Sequence, residues 1–250
     1  MQIFFLGTGE ASDENYYNNS FLIGDKTKIL VDCGYSIPVR LWSYQKDPDF
    51  IDYIYISHTH ADHFFGLPAL VLRLNEDGRK KPLSIICPRG FARNIKDLCN
   101  LGYPGILEKI KFVLDFNEIE SSQELFLSEF KLSFAVTRHS MKNLAVSFES
   151  QNVKIGYSGD GNFTQNSSKL FQRSDLLIHD GYSFHQTENH AEISEIIELA
   201  KNIKVKTLAL THVQRKTRNS RLFENKIRHF QEECDSLRII VPKPGYQKDF

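Results

Sequence analysis

Cysteine is scarce, with four among 250 residues. Cys33, Cys87, Cys99 and Cys234 lie far apart and none form a C-x-x-C pair. That spacing disfavours a thiolate metal site and a dense disulfide framework, and makes a reducing cytoplasm the expected setting. Net charge is absent too: 31 basic residues balance 31 acidic ones, so no global field draws the chain to nucleic acid or to an anionic membrane, and any phosphate binding must be local. Long hydrophobic runs are missing. No segment approaches the roughly 18 to 20 apolar residues of a membrane-spanning helix, and the opening MQIFFLGTGEAS has neither a basic flank nor an apolar region long enough for a secretory signal. No membrane partner and a cytoplasmic location are therefore expected. Repeats, low-complexity tracts and long linkers are lacking as well. A hydrophobic content of 41% suffices for a full core, so a single domain over residues 1–250 is expected.

What is present reads as alternating strands and helices. QIFFL, SFLIG and KTKILVDCG are short apolar or alternating runs punctuated by glycine, which predict an N-terminal β-meander. Further strands are expected at DYIYIS, LSIICP, KIKFVL, LFLSEFKLSFAVT, LAVSFES, VKIGYSGD, SDLLIHD, VKTLALTH and LRIIVP. Helices are expected after DHFFGLPALVLRLN, near FARNIKDL, from about 190 to 201 and from about 221 to 234. Strands grouped early and late with helices between them suggest two packed sheets flanked by helices.

The strongest chemical signal is YIYISHTHADHFFG. His58, His60, Asp62 and His63 are four metal-ligand side chains in one short loop, set after a strand-like run and before a helix-like one. Imidazole nitrogen and carboxylate oxygen suit zinc and neighbouring divalent ions, and a loop at a strand end can aim alternate side chains at two adjacent points. Two metal shells need more donors. His139, Asp160 and His212 each end an apolar strand-like run and are the candidates.

Taken together these residues resemble the metallo-β-lactamase-fold hydrolases. Asp32 in LVDCG, HTHADH at 58–63, His139, Asp160 in YSGD and His212 in LTH fall in that family's order over essentially the whole chain. The resemblance implies a four-layer αββα sandwich of two mixed β-sheets flanked by helices. It implies two Zn2+ ions, with Mn2+ or Fe2+ as alternatives. His58, His60 and His139 would hold one ion, Asp62, His63 and His212 the other, and Asp160 would bridge both. Asp32 looks like an acid that orients ligands without binding metal. His60 stands where redox di-iron members carry glutamate, which favours a hydrolytic site. A bridging aspartate resembles phosphodiesterases and thioesterases more than the lactam hydrolases.

Within the superfamily, FFLGTGEA, YSGD and SDLLIHDGYSF are similar to the ribonuclease Z-like phosphodiesterases. That likeness implies attack by a metal-bridging hydroxide and assigns Asp180 and His190, with Asp62, to the catalytic set. His190, oriented by Asp180, would protonate the departing alkoxide. Here Asp180 replaces the usual glutamate, and NHAEIS replaces a GHST-like run. The residues themselves point to a helix with Ile193, Ile196, Ile197 and Ala200 buried, Asn189 as N-cap, Glu192 as the capping-box acid and His190 in the first turn. There the helix dipole would disfavour an imidazolium, so His190 would need a nearby carboxylate. His179 reads as structural, with its ring bonded to backbone, and His185 and His229 as exposed.

The expected substrate is a phosphodiester, either RNA or a small nucleotide. The long glycine- and proline-rich arm of ribonuclease Z has no counterpart here. The basic run QRKTRNSR at 214–221 reads as a solvated loop that could instead meet phosphates. Tyr16, Tyr17, Tyr35, Phe64 and Phe65 are candidates to border the mouth. Alternatives are hydrolysis of another ester, thioester or lactone on the same site, and a catalytically silent metal-containing nucleotide-binding module. A homodimer is a further implication of the resemblance.

Overall fold

The computed structural model describes residues 1–234 and 236–250. The chain opens with β1 (Gln2–Gly7), β2 (Ser20–Ile23) and β3 (Ile29–Val31), paired antiparallel in sequence as the meander predicts. Helix α1 (Ile37–Tyr44), begun by Pro38, leads to β4 (Tyr53–Tyr55). Then come α2 (Ala61–Phe64), α3 (Leu67–Glu76), β5 (Leu83–Pro88), α4 (Phe91–Gly102), α5 (Ile106–Lys109) and β6 (Leu114–Ile119). Strands β3 to β6 run parallel, which requires the crossover helices between them.

The second half starts with the antiparallel strands β7 (Glu124–Leu127), β8 (Phe130–Val136), β9 (Leu144–Ser150) and β10 (Val153–Tyr157). It continues with α6 (Gln165–Leu170), β11 (Leu176–Asp180), α7 (Ile193–Asn202), β12 (Thr207–Thr211), α8 (Arg215–Arg218), α9 (Arg221–Glu232) and β13 (Arg238–Ile240). Strands β10 to β13 are parallel, and β14 (Gln247–Asp249) returns to pair with β1. The two seven-stranded sheets have the orders β14-β1-β2-β3-β4-β5-β6 and β13-β12-β11-β10-β9-β8-β7. Both are mixed.

Side-chain alternation explains the layers. In β3, Ile29 and Val31 face the opposite sheet while Leu30 faces α1 and α3, so every residue of the strand is buried and the run reads as continuously apolar. Phe5, Phe21, Tyr55, Phe134, Phe148 and Tyr157 fill the space between the sheets. Leu67, Leu70, Val71 and Ile95 cover the first sheet, and Ile193, Ile196, Ile197 and Phe223 cover the second. The result is an αββα sandwich. Phe148 is fully buried at its centre, packed edge-on against Tyr55. Phe148→Ala should therefore cost about 3–5 kcal/mol in urea unfolding; a loss under about 1 kcal/mol would mean that the space between the sheets collapses to fill the gap.

Several local expectations need correction. The strand expected at KIKFVL is displaced: Phe112 is packed as core, and the strand runs from Leu114 to Ile119, whose polar alternation suits its place at a sheet edge. The 214–221 segment is not a plain loop, since it contains α8. Helices α1 and α6 carry no long periodic pattern and were not anticipated. The stretch 61–76 forms two helices, α2 within ADHF and α3 after Gly66, where an added Cβ would lie 2.3 Å from the Gly34 carbonyl oxygen. Helix α7 starts at Ile193 with Glu192 as N-cap, so Asn189 does not cap it and His190 lies before it. The cause is local: Thr187 Oγ1 accepts from His190 N, and Ile193 N donates to Ser183 O, which holds residues 187–190 in a turn. The dipole argument for His190 therefore does not apply.

Candidate metal centre

The site lies at one edge of the two sheets, where several parallel strands and the antiparallel β8 end in loops. Asp32 follows β3, Ser57 and His58 follow β4, His139 follows β8, Asp160 follows β10, Asp180 ends β11 and His212 follows β12. Asp62 and His63 sit on α2. Positive-φ turns aim several of these groups, with Gly159 at φ 60° and Gly161 at φ 113° flanking Asp160. A side chain at Gly159 would also strike Asn143, 2.2 Å from the ideal Cβ.

Among the described residues, three groups of donors come together. His58, His60, His139 and Asp160 form one, and Asp62, His63, Asp160 and His212 form a second, with the ligand atoms of each group all within 4.8 Å of one another. Asp160 belongs to both. In the first, His58 Nε2 and His139 Nε2 each lie 3.1 Å from His60 Nδ1. In the second, Asp62 Oδ2 is 3.3 Å from His63 Nε2 and 3.2 Å from His212 Nε2, and Asp160 reaches both rings at 3.4 Å.

These residues fit divalent cations. His63 Nε2 and Asp160 Oδ1 are buried without a hydrogen-bond partner among the described residues, a cost that a cation between them would remove. Three imidazole nitrogens converging at 3.1 Å likewise call for a shared positive charge. Burial would push the His63 and His212 rings down, yet the Asp160 and Asp62 carboxylates hold both well above the ordinary histidine range. His58, buried and beside His63, is pushed well below it. Asp62 and Asp160 stay well below the usual carboxylate range despite burial, because His63 and His212 face them. The carboxylates thus draw positive charge into the cluster, and a divalent cation would supply it in place of the ring protons.

Asp32 binds the frame and not the cluster. Its Oδ1 accepts from Ser57 N, and its Oδ2 accepts from Ser57 Oγ, from Tyr157 OH at 2.6 Å and from His63 Nδ1 at 2.8 Å. That last bond sets the tautomer of His63 and leaves Nε2 for the cluster. His139 is oriented in the same way, with Nδ1 bonded to Asn189 O at 3.0 Å.

The third group contains Asp160, Asp180, His190 and His212. His190 Nδ1 meets Asp180 Oδ2 at 2.5 Å, and the same oxygen accepts from Gly161 N. Asp180 Oδ1 lies 3.5 Å from His212 Nδ1, too long for a well-formed bond. Burial disfavours charge on both groups. Even so, His190 brings the Asp180 carboxyl down to about 2, and Asp180 raises His190 above its ordinary value. Tyr182 stacks on the His190 ring at 4.4 Å.

Sequence reasoning missed Tyr182, Thr187, Ser57 and Tyr157. Tyr157 is 125 positions from the carboxylate it contacts, and no local pattern marks such a partner. His179 donates through Nδ1 to Asp180 O, as a structural histidine should, while His185 and His229 are exposed. Of the aromatic candidates, Phe64 is core, whereas Tyr17, Tyr35 and Phe65 are exposed. Arg215 pairs with Glu10, and Arg218 pairs with Asp13 and lies over the Tyr16 ring, so two of the four cations of the basic run tie down the 10–16 loop.

Comparison with known proteins agrees with this geometry. The ribonuclease Z of Methanococcus maripaludis is 24% identical over 303 residues, covering 96% of this chain and 97% of the relative. The metallo-β-lactamase-fold protein YhfI of Bacillus subtilis superposes with a TM-score of 0.81 at 19% identity, covering 99% and 98% of the two chains. Human tRNase Z, short form, superposes with a TM-score of 0.79 at 21% identity, covering 100% and 99%. Fold and site define a metal-dependent hydrolase of the metallo-β-lactamase fold, in its ribonuclease Z-like branch. The family profile described as "Anti-Pycsar protein Apyc1" matches residues 1–234, and the chain belongs to that family.

Proposed function

We propose that the protein is a dinuclear zinc phosphodiesterase acting on nucleotide or RNA phosphodiesters. The observation that carries this reading is the His190–Asp180 pair, set against the same Asp160 and His212 that take part in the second metal group. His58, His60 and His139 would hold one ion, Asp62, His63 and His212 the other, and Asp160 both; the same nitrogen and oxygen donors would accept Mn2+ or Fe2+. Bound there, divalent cations supply charge that neutralises phosphate oxygens and acidifies the attacking water.

The chain's own residues do the rest. Asp32 and the Asn189 carbonyl fix two imidazoles so that each presents Nε2. Asp62 holds the rings of His63 and His212 on one side of Asp160. Asp180 keeps His190 charged through Nδ1, leaving Nε2 to give its proton to a departing alkoxide. Tyr182 keeps that ring in plane. A small diester is favoured over precursor tRNA. The alignment with the Methanococcus ribonuclease Z spans 303 residues and this chain has 250, so at least 53 positions of the relative have no counterpart here.

Purified protein assayed with its metal content measured should hydrolyse bis-p-nitrophenyl phosphate, lose that activity on chelation and regain it with Zn2+ or Mn2+. Cyclic nucleotides should be cleaved faster than precursor tRNA 3′ ends. Turnover of thioesters, lactones or p-nitrophenyl acetate above that of diesters would overturn the phosphodiesterase reading, and no turnover by loaded protein would leave a binding module.

A further inference from the structure

The segment 214–221 is marked in the sequence by its charge, yet its uncharged first residue is the one that reaches the site. Gln214 N donates to Tyr182 O at 3.0 Å, and Gln214 Nε2 lies a longer 3.4 Å from Tyr182 OH. Gln214 is also the N-cap residue of α8, and its carbonyl accepts from Arg218 N. Helix α8 is fixed from its other side by Arg215 on Glu10 and Arg218 on Asp13. Tyr182 is thereby tied, two residues beyond Asp180, to a segment that is itself clamped.

His190 needs such a neighbour. It lies before α7, and the Thr187 hydroxyl fixes its backbone by accepting from His190 N and donating to His190 O. Its ring is held by one hydrogen bond, from Nδ1 to Asp180 Oδ2. A single bond leaves the ring free to tilt, and tilting displaces Nε2, the atom that must meet the leaving group. Tyr182 removes that freedom. Its ring lies 4.4 Å from the imidazole and within 14° of parallel, so one face is covered, while His139 meets the imidazole at 5.4 Å and a steep 65°. The electron-rich face of a phenol ring also suits a charged imidazole, so the contact favours the form that carries the proton as well as its orientation.

We infer that Tyr182 is the positioning residue of the proton donor and that residues 214–218 are its anchor, an inference that rests on reading His190 as the acid. The main chain of Gln214 holds Tyr182, Tyr182 holds the plane of His190, and that plane sets where Nε2 delivers its proton. Tyr182 acts through its ring and gives no proton itself.

The test is kinetic and spectroscopic, on the full-length, zinc-loaded protein. Tyr182→Ala should lower kcat for 3′,5′-cyclic AMP, whose leaving group is a ribose alkoxide, by roughly tenfold to a hundredfold. Its KM, metal content, melting temperature and bis-p-nitrophenyl phosphate rate should stay close to wild type. Tyr182→Phe, which keeps the ring, should restore the alkoxide rate. Gln214→Pro deletes the N–H that grips Tyr182, at a φ of −52° that proline adopts, and should reproduce part of the loss on the alkoxide alone. In proton spectra, the downfield signal of His190 Nδ1–H, identified by its absence from His190→Ala, should survive in Tyr182→Phe and be lost to water exchange in Tyr182→Ala. An unchanged alkoxide rate and signal in Tyr182→Ala would overturn the inference. So would a phenylalanine variant as slow as the alanine one, which would make the hydroxyl the acting group. A Gln214→Pro variant as fast as wild type would overturn the anchoring. His190→Ala assayed alongside separates the two readings: if its loss follows the leaving group and that of Tyr182→Ala does not, the positioning role alone fails, and if neither does, the acid itself is misassigned.

Discussion

Replacing His190 by alanine is expected to slow cleavage of diesters with alkoxide leaving groups by roughly 10² to 10⁴, while bound metal and the rate on bis-p-nitrophenyl phosphate stay within a few-fold of wild type. A nitrophenolate departs without a proton, and an alkoxide does not, so the loss must follow the leaving group. His190 lies outside the two groups that share Asp160 as His58/His60/His139 and Asp62/His63/His212, which is why metal content should hold. The pH dependence has a definite sign. Asp180 raises His190 above its ordinary value, so the acid form persists through the usual histidine range, and the alkoxide rate declines only as pH passes the raised value. Asp180→Asn removes the negative charge and should move that decline to lower pH. Equal losses on both substrates, or loss of metal from the His190 variant, would sink the assignment.

Asp32→Asn should lower metal affinity by about 10–100-fold, the usual cost of removing the partner that orients a metal-binding histidine. The reason is donor arithmetic. Ser57 N, Ser57 Oγ, Tyr157 OH and His63 Nδ1 all point at this one carboxylate, and both of its oxygens are used. An amide offers one oxygen, so whichever way it turns, its NH2 faces a donor. His63 is then free to change tautomer, and a buried donor goes unpaired, at roughly 1–3 kcal/mol of stability. Competition with a chromophoric chelator measures the first effect and denaturation of chelated protein the second. Tyr157→Phe removes one donor and keeps the carboxylate, so its metal affinity should change far less. Unchanged affinity in Asp32→Asn would show that His63 is held by something other than this bond.

Much of the site was legible because its residues sit at strand ends, where a run of buried apolar side chains breaks at a polar one. VKTLALTH marks both β12 and His212, and VKIGYSGD marks both β10 and Asp160. The HTHADH loop is legible for its density alone. Helix α7 shows the limit. Its buried face at Ile193, Ile196, Ile197 and Ala200 follows from periodicity, but its start does not, because Asn189 and Glu192 both carry capping side chains. Only the bonds from His190 N to Thr187 and from Ile193 N to Ser183 decide between them.

The sequence by itself determined the candidate donors and the alternation of strands and helices, since each rests on the chemistry or periodicity of neighbouring residues; the pairing of Asp180 with His190 followed from the family resemblance, because the helix-start argument for it fails. Tertiary structure alone decided which donors share Asp160, that Asp32 bonds His63 while Tyr157 and Ser57 hold its carboxylate in place, and that Arg215 and Arg218 are spent on the 10–16 loop. Those facts depend on contacts between side chains up to 205 positions apart. Such contacts are set by how two sheets pack, and packing of that range leaves no local trace in the order of residues.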